Sequence, residues 1–258
     1  MITVHELHKR YGNKAVLSGV STCFPRQQLT SLIGPNGAGK TTLLMMLARL
    51  LEPSSGDIQL DGQSIGSIPI GAYARRVATL RQAVDFNLRL TVEELVAFGR
   101  FPYSRGALTE EDQQAIDQAI AFLALQSLRH AYLDELSGGQ RQMAFLAMTI
   151  AQQTDYLLLD EPLNNLDMRH AVQIMRALRR LCDEFGRTVI LVVHDINFAA
   201  AYSDHIVAMQ GGRVHCSGSV DQVVTEQQLH ALYGLTFEIS HSARGRLCNY
   251  FNPPGEQR

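Results

Sequence analysis

Eight consecutive residues constrain this chain more than any others: Gly34-Pro35-Asn36-Gly37-Ala38-Gly39-Lys40-Thr41. They satisfy G-x-x-x-x-G-K-[ST] at every fixed position. Leu29 to Ile33, just before them, reads as a short buried strand, and Thr42 to Leu51, just after, as an apolar helix. In a strand–loop–helix of this kind the glycine-rich backbone curls with its N–H groups turned inward, a nest for phosphate oxygens. The helix adds the positive end of its dipole to the same anion. Gly34 through Thr42 are therefore the candidate nucleotide contacts. The Lys40 ammonium is expected to reach the β- and γ-phosphates, and the Thr41 hydroxyl to bind Mg²⁺. Such a loop implies a nucleoside triphosphate and leaves open what its hydrolysis drives.

The rest of the chain must supply the driven machine. Its 258 residues, 46% hydrophobic, suffice for one compact domain or a domain with a subdomain. A net charge of −2 gives no global basic balance for nucleic acid or an anionic membrane. Cys23, Cys182, Cys216 and Cys248 are far apart and form no C-x-x-C pair. Reduced structural thiols of a cytoplasmic protein are the expectation. The opening MITVHELHKRYG is charged where a signal peptide needs an apolar run. No stretch approaches the roughly 18 uninterrupted apolar residues of a membrane helix. The chain is expected to be soluble by itself and able to join a membrane through a partner.

Residues 2–8 alternate apolar and polar, as a half-buried strand does. Tyr11 follows on an expected loop, where an aromatic ring either stacks on a purine or is simply a surface tyrosine. Ala15 to Phe24 predicts one or two strands. Asp57 to Gly62 predicts a strand ending in an Asp-Gly turn. Arg75 to Gln82 predicts another, and Gln82 at its end can serve as a neutral ligand to Mg²⁺ or to an attacking water, or be a solvated terminus.

Residues 91–152 change character. Thr91 and Glu94 form a capping-box pattern at the start of one helix, and Thr109-Glu110-Glu111-Asp112 opens a longer one through about Leu125. Arg100 to Gly106 between them reads as a loop. Ser137-Gly138-Gly139-Gln140 then precedes a helix from Arg141 to Ala151, which makes a second anion site by the logic of the first. Either that site is an ornament of the fold, or two copies of the chain share each nucleotide.

Tyr156 to Pro162 is an apolar strand ending in two carboxylates, and four apolar residues in a row suit a parallel strand covered on both faces. Its C-terminal edge is where α/β sheets place ligands. There Asp160 can hold Mg²⁺ through water and Glu161 can polarise the attacking water. This strand is expected to lie beside the strand that leads into the glycine loop. Thr188 to Val193 predicts a further buried strand with His194 at its end, placed to hydrogen-bond a γ-phosphate. A hairpin around Gln210-Gly211-Gly212, a helix over Val220 to Tyr233 and a tail frayed after about Phe251 complete the expectations.

Taken together, these motifs resemble the nucleotide-binding subunit of an ATP-binding-cassette (ABC) transporter. In the family's order stand Tyr11 as the adenine-stacking aromatic, GPNGAGKTT as Walker A, Gln82 as the Q-loop and Leu136 to Gln140 (LSGGQ) as the signature. LLLDEP follows as Walker B, with Asn165-Leu166-Asp167 in the D-loop and His194 as the switch histidine. Two positions depart from the pattern: Met143 where a basic residue is frequent, and Arg81 before Gln82 where proline is. The resemblance covers residues 1 to about 235. It implies an α/β fold: a P-loop NTPase (RecA-like) core, an N-terminal antiparallel β-subdomain and an inserted α-helical subdomain. The implied boundaries are core about 1–85 and 153–235, helical block about 86–152, and tail 236–258.

The same resemblance implies a homodimer in which two ATP molecules lie between head-to-tail copies. Each would be held by one chain's glycine loop and by Ser137, Gly138, Gly139 and Gln140 of the other. Glu161, His194, Lys40 and Gln82 would carry the chemistry, with Thr41, Gln82 and Asp160 around Mg²⁺. LTVEELVAFGRFPY and DEPLNNLDMRH are similar to the ATPase subunits of iron–siderophore importers, beside those for haem and vitamin B12. That implies integral membrane permease subunits docking near Phe101 to Tyr103, a separate substrate-binding protein, no nucleic acid, and a peripheral place on the cytoplasmic face of the inner membrane. The alternatives are a haem, vitamin B12 or metal-ion importer, or a soluble cassette ATPase such as an iron–sulfur assembly factor.

Overall fold

Apolar β-branched runs and glycine-bearing turns divide the N-terminal third into strands: β1 (Ile2–Tyr11), β2 (Lys14–Phe24), β3 (Leu29–Ile33), β4 (Ser55–Leu60) and β5 (Gln63–Ser64), with helix α1 (Lys40–Leu47) after the glycine loop. Helix α2 (Ile70–Ala74) and strand β6 (Val77–Leu80) follow, then α3 (Val92–Phe98), α4 (Phe101–Ser104), α5 (Glu110–Phe122) and α6 (Gly138–Ala151). The last third holds β7 (Tyr156–Asp160), α7 (Met168–Asp183), β8 (Thr188–Val192), α8 (Ile196–Tyr202), β9 (His205–Gln210), β10 (Arg213–Ser219), α9 (Val220–Val223), α10 (Glu226–Tyr233), β11 (Glu238–Ser242) and β12 (Gly245–Asn249). The computed structural model describes residues 1–81, 89–242 and 245–251.

The central sheet runs β10-β9-β3-β8-β7-β6, with β9 through β6 parallel and β10 antiparallel at one edge. Strands β3, β7 and β8 bury all five of their residues, so both faces must be covered. Alternation divides each strand between two cores. Leu29, Ile33, Leu157, Leu159, Val189 and Leu191 face one, with α3, α5, α6 and α7. Leu32, Tyr156, Leu158, Ile190 and Val192 face the other, with α1 and the antiparallel sheet β2-β1-β4-β5. The Asp61-Gly62 turn between β4 and β5 has positive φ at both residues, the backbone a two-residue hairpin requires.

Several local expectations are corrected. Strand β8, not β3, is the inner neighbour of β7, so the carboxylate strand does not touch the strand that feeds the glycine loop. The chain crosses over from β7 through α7 and inserts β8 between them, with His194 following β8 at the same end of the sheet. Tyr11 ends β1 instead of standing on a loop. Arg100 to Gly106 is not all loop: Pro102 in the first turn starts the short helix α4. Val220 to Tyr233 is two helices, because Thr225 caps a new one with its side chain on the Gln228 amide. The tail forms the hairpin β11–β12, whose Cys248 backbone exchanges two hydrogen bonds with the Asn197 side chain of α8, at 2.7 and 3.2 Å. Residues 252–258, where fraying is expected, lie outside the described residues.

One charge is built into the helical side. Arg100 is 2% exposed. Its Nε donates to Asp112 Oδ1 at 2.8 Å, and its Nη1 donates to the Ala151 carbonyl at 2.9 Å and to Gln153 Oε1 at 3.1 Å. The Tyr103 ring covers the guanidinium at 4.1 Å. Asp112 also accepts from the Thr109 backbone, so one carboxylate caps α5 and pairs with Arg100.

Candidate nucleotide-binding site

The C-terminal ends of β3, β7 and β8 converge, and the sequence puts its chemistry on all three. Gly34 leaves β3 at φ 139°, and a Cβ there would sit 2.0 Å from the Met209 carbonyl oxygen, so only glycine admits this approach to β9. The loop then wraps to Gly39, which starts α1 without a side-chain cap and so leaves its first N–H groups directed at the loop's interior. Lys40 folds back across the loop, its Nζ donating to the Gly34 carbonyl at 2.7 Å and the Pro35 carbonyl at 3.0 Å. Burial pushes its ammonium pKa down, and the Glu161 and Asp160 charges oppose that shift.

A cavity of about 620 Å³ opens over the loop. Asn36, Gly37, Ala38, Gly39, Lys40, Thr41 and Thr42 line its floor, and Glu161, Asn164 and His194 line its far wall. Val16 of β2 completes it. A backbone nest, a cation and the Glu161 carboxylate around a volume of this size suit the triphosphate of a nucleoside triphosphate.

The two carboxylates have different surroundings. Asp160 is buried at the end of β7 and accepts the Thr41 hydroxyl at 3.0 Å. Burial pushes its carboxyl up, the Thr41 bond pulls it down, and the charge of Glu161 raises it further. A hydroxyl and a carboxylate held together are hard oxygen donors, and a divalent cation beside them would offset the cost of the buried charge; this donor set fits Mg²⁺. Glu161 turns outward through a left-handed backbone at φ 50°. Its Oε1 lies 2.7 Å from His194 Nε2, and its Oε2 accepts from Asn164 Nδ2 at 3.3 Å. A carboxylate held between an imidazole and an amide, facing the cavity, can orient a water and accept its proton.

Not every expected site residue joins this cavity. Tyr11 is 54% exposed at the end of β1, with the Lys9 ammonium 5.1 Å above its ring, and does not line the cavity. Ser137, Gly138, Gly139 and Gln140 lie elsewhere. Ser137 caps α6 in a capping box with Gln140, and both line a second cavity of about 730 Å³ with His170 and Arg169. The Gln82 expectation falls outside the described residues. Val16 and Asn164 join the cavity without a motif of their own. An aliphatic residue in a strand carries no chemical signal, whereas an Asn-Asn turn three residues after a pair of carboxylates is one.

A model of the ABC transporter family matches residues 17–164. The chain is 48% identical over 252 residues to the petrobactin import ATP-binding protein YclP of Bacillus subtilis (strain 168), spanning 98% of this chain and 100% of that protein. It is 37% identical over 227 residues to the ferric enterobactin transport ATP-binding protein FepC of Escherichia coli (strain K12), spanning 87% of this chain and 84% of that protein. Among solved structures, the dimeric structure of MJ0796, a bacterial ABC transporter cassette, is similar at a TM-score of 0.76 and 26% identity, over 85% of this chain and 99% of that one. With a phosphate loop, two carboxylates and a histidine meeting at the ends of three neighbouring parallel strands, and relatives of matching length, the chain belongs to the ABC transporter family as one of its ATP-hydrolysing subunits.

Proposed function

We propose that this chain hydrolyses ATP to drive the import of a ferric siderophore through membrane permease subunits. The observation that carries the cargo is its 48% identity, across 98% of this chain and all of the relative, to a protein named for petrobactin import. The FepC relative, named for ferric enterobactin, supports the same cargo class at lower identity. In this reading the chain sits on the cytoplasmic face of the inner membrane, held there by its permease, with a separate binding protein delivering cargo. No helix among the described residues is long and apolar enough to cross a membrane.

The proposed chemistry is phosphoryl transfer to water, which needs alignment and charge stabilisation more than covalent work. Glu161 orients the water and takes its proton as oxygen bonds to the γ-phosphorus and the bond to the ADP oxygen breaks. Lys40 and His194 offset charge on the γ-phosphate oxygens, and the N–H groups from Asn36 to Thr42 hold the remainder. Thr41 and Asp160 would hold Mg²⁺, which when bound neutralises phosphate charge, with Gln82 as the further ligand. Tyr11 offers its ring to the adenine. Two copies assemble head to tail, and Ser137 to Gln140 of one complete the site of the other. Support comes from the placement of that turn outside the Lys40 cavity and from the dimeric MJ0796 cassette.

Uptake in a deletion strain tests the cargo. A strain lacking this chain is expected to lose uptake of radiolabelled iron from a ferric siderophore while keeping uptake of haem and vitamin B12. Unchanged siderophore uptake with loss of either of the others would overturn the assignment. The permease contact is proposed for the surface around Phe101, which is 60% exposed beside the exposed Phe98. Phe101→Ala in the assembled transporter is expected to cut transport about tenfold, the loss of a centrally placed aromatic anchor, with basal ATPase within twofold. Equal loss of both activities, or of neither, would move the docking surface elsewhere.

A further inference from the structure

The second cavity contains a contact that the proposed chemistry does not use. The imidazole of His170, in the first turn of α7, lies flat beneath Gly139. A Cβ built on Gly139 would come within 2.4 Å of His170 Cγ and 2.5 Å of its Nδ1. Gly138, one residue earlier, has nothing within 4 Å of the corresponding position. The two glycines of the turn therefore differ: one faces open space, and the other is glycine because a ring fills the place of its side chain.

That ring is also held by Asp167. His170 Nδ1 lies 2.9 Å from Asp167 Oδ2, and the His170 backbone N–H donates to Asp167 Oδ1 at 2.9 Å. Asp167 is the N-cap of α7, and these bonds, the backbone one foremost, keep its carboxyl below the ordinary aspartate range. Asp167 stands six residues after Glu161, whose carboxylate is tied to Asn164 in the intervening loop. A second tie runs in parallel: Gln142 Nε2, in the first turns of α6, donates to the Pro162 carbonyl at 3.1 Å.

We propose that His170 is a positioning residue for the Ser137–Gln140 turn, its Asp167-held ring setting the depth at which Gly139 is presented to a second copy's nucleotide. The proposal rests on the reading that this turn completes the partner's site. A chain of contacts then links the catalytic carboxylate strand of each copy to the turn that the same copy offers outward: Glu161, the loop, Asp167, His170, Gly139. Removing the ring leaves the turn without a floor. Filling the place of the Gly139 hydrogen forces the ring out.

The test uses the full chain in the Glu161→Gln background, where bound ATP persists, and reads ATP-driven dimerisation by sedimentation beside single-copy binding of a fluorescent ATP analogue. His170→Ala is expected to leave single-copy binding within twofold and to weaken ATP-driven dimerisation by about tenfold, the scale of one coupled contact. Gly139→Ala is expected to weaken dimerisation more strongly, and Gly139→Ala with His170→Ala to recover about tenfold of that loss, because the clash is gone. Recovery in the double variant is a readout that general destabilisation would not give. A parent chain that dimerises with ATP while His170→Ala dimerises equally well, or a double variant no better than Gly139→Ala, would overturn this proposal alone. A parent that binds ATP and stays single would overturn the shared-site reading, and this proposal with it.

Discussion

Replacing Glu161 by glutamine is expected to slow ATP turnover by about 10³-fold while leaving ATP binding intact. The amide has the shape of the carboxylate: its oxygen can still accept from Asn164 Nδ2, and its NH2 can face His194 Nε2, which lies 2.7 Å from Oε1 in the parent. What it loses is the ability to take a proton. The floor of the cavity, from Asn36 to Thr42, is untouched, and with it the affinity for the triphosphate. Phosphate release and equilibrium ATP binding, measured on the same preparation, separate the two effects. Turnover within tenfold of the parent would remove Glu161 from the chemistry. The substitution is also expected to hold the nucleotide-closed dimer together, since the charge that bridges it is no longer cleaved.

The largest expected effect on stability lies well away from the nucleotide. Arg100→Met should destabilise the fold by about 3–5 kcal/mol, because it strands Asp112 as an unpaired charge in the protein interior. Arg100→Met with Asp112→Asn should recover part of that loss, since both charges are then gone. Acid should act on the same pair. Asp112 is held below the ordinary aspartate range, first by the Thr109 backbone N–H and then by Arg100 among others. A carboxyl depressed in the folded state contributes stability that is fully present above its unfolded pKa, about 3.9, and fades as pH falls through the lower folded value. The parent's denaturant midpoint should therefore drop on going from about pH 5 to about pH 3, and Arg100→Met should drop less, its Thr109 bond remaining. An Arg100→Met midpoint equal to the parent's at neutral pH would show that the pair adds nothing.

What could be read from the chain is what is local in the chain. The glycine loop between a buried strand and a helix, the Thr91–Glu94 and Thr109–Asp112 boxes, and the Asp61-Gly62 turn each state their chemistry within a few residues. What could not be read depends on distant partners. The order β3-β8-β7 is set by how α7 crosses the sheet, and no residue of β7 encodes it. Arg100 looks like a loop arginine until Ala151 and Gln153, more than fifty residues on, accept its protons. The hairpin β11–β12 has mixed polarity because much of it faces water. It is anchored to Asn197, 51 residues before Cys248, and by the Tyr233, Phe237 and Tyr250 rings, whose successive centroids are 6.0 and 5.7 Å apart. Tyr11, Gln82 and the pairing of Ser137 with a second copy entered by resemblance, since their expected partners are a base, a metal ion and another chain.

The division of each central strand between two cores has a thermodynamic consequence. Leu157 and Leu159 belong to the helical side while Tyr156 and Leu158 belong to the opposite side, so neither core can melt without stripping the other of its wall. A ligand that binds only the folded form raises the free energy of unfolding by RT ln(1 + [L]/Kd), about 2.7 kcal/mol at a hundredfold excess over Kd. In a molecule of two independent lobes that gain would stop at the lobe that binds. Here, on the proposed reading, ATP held at the C-terminal ends of the shared strands is expected to raise the free energy of unfolding of both cores together, the helical side included.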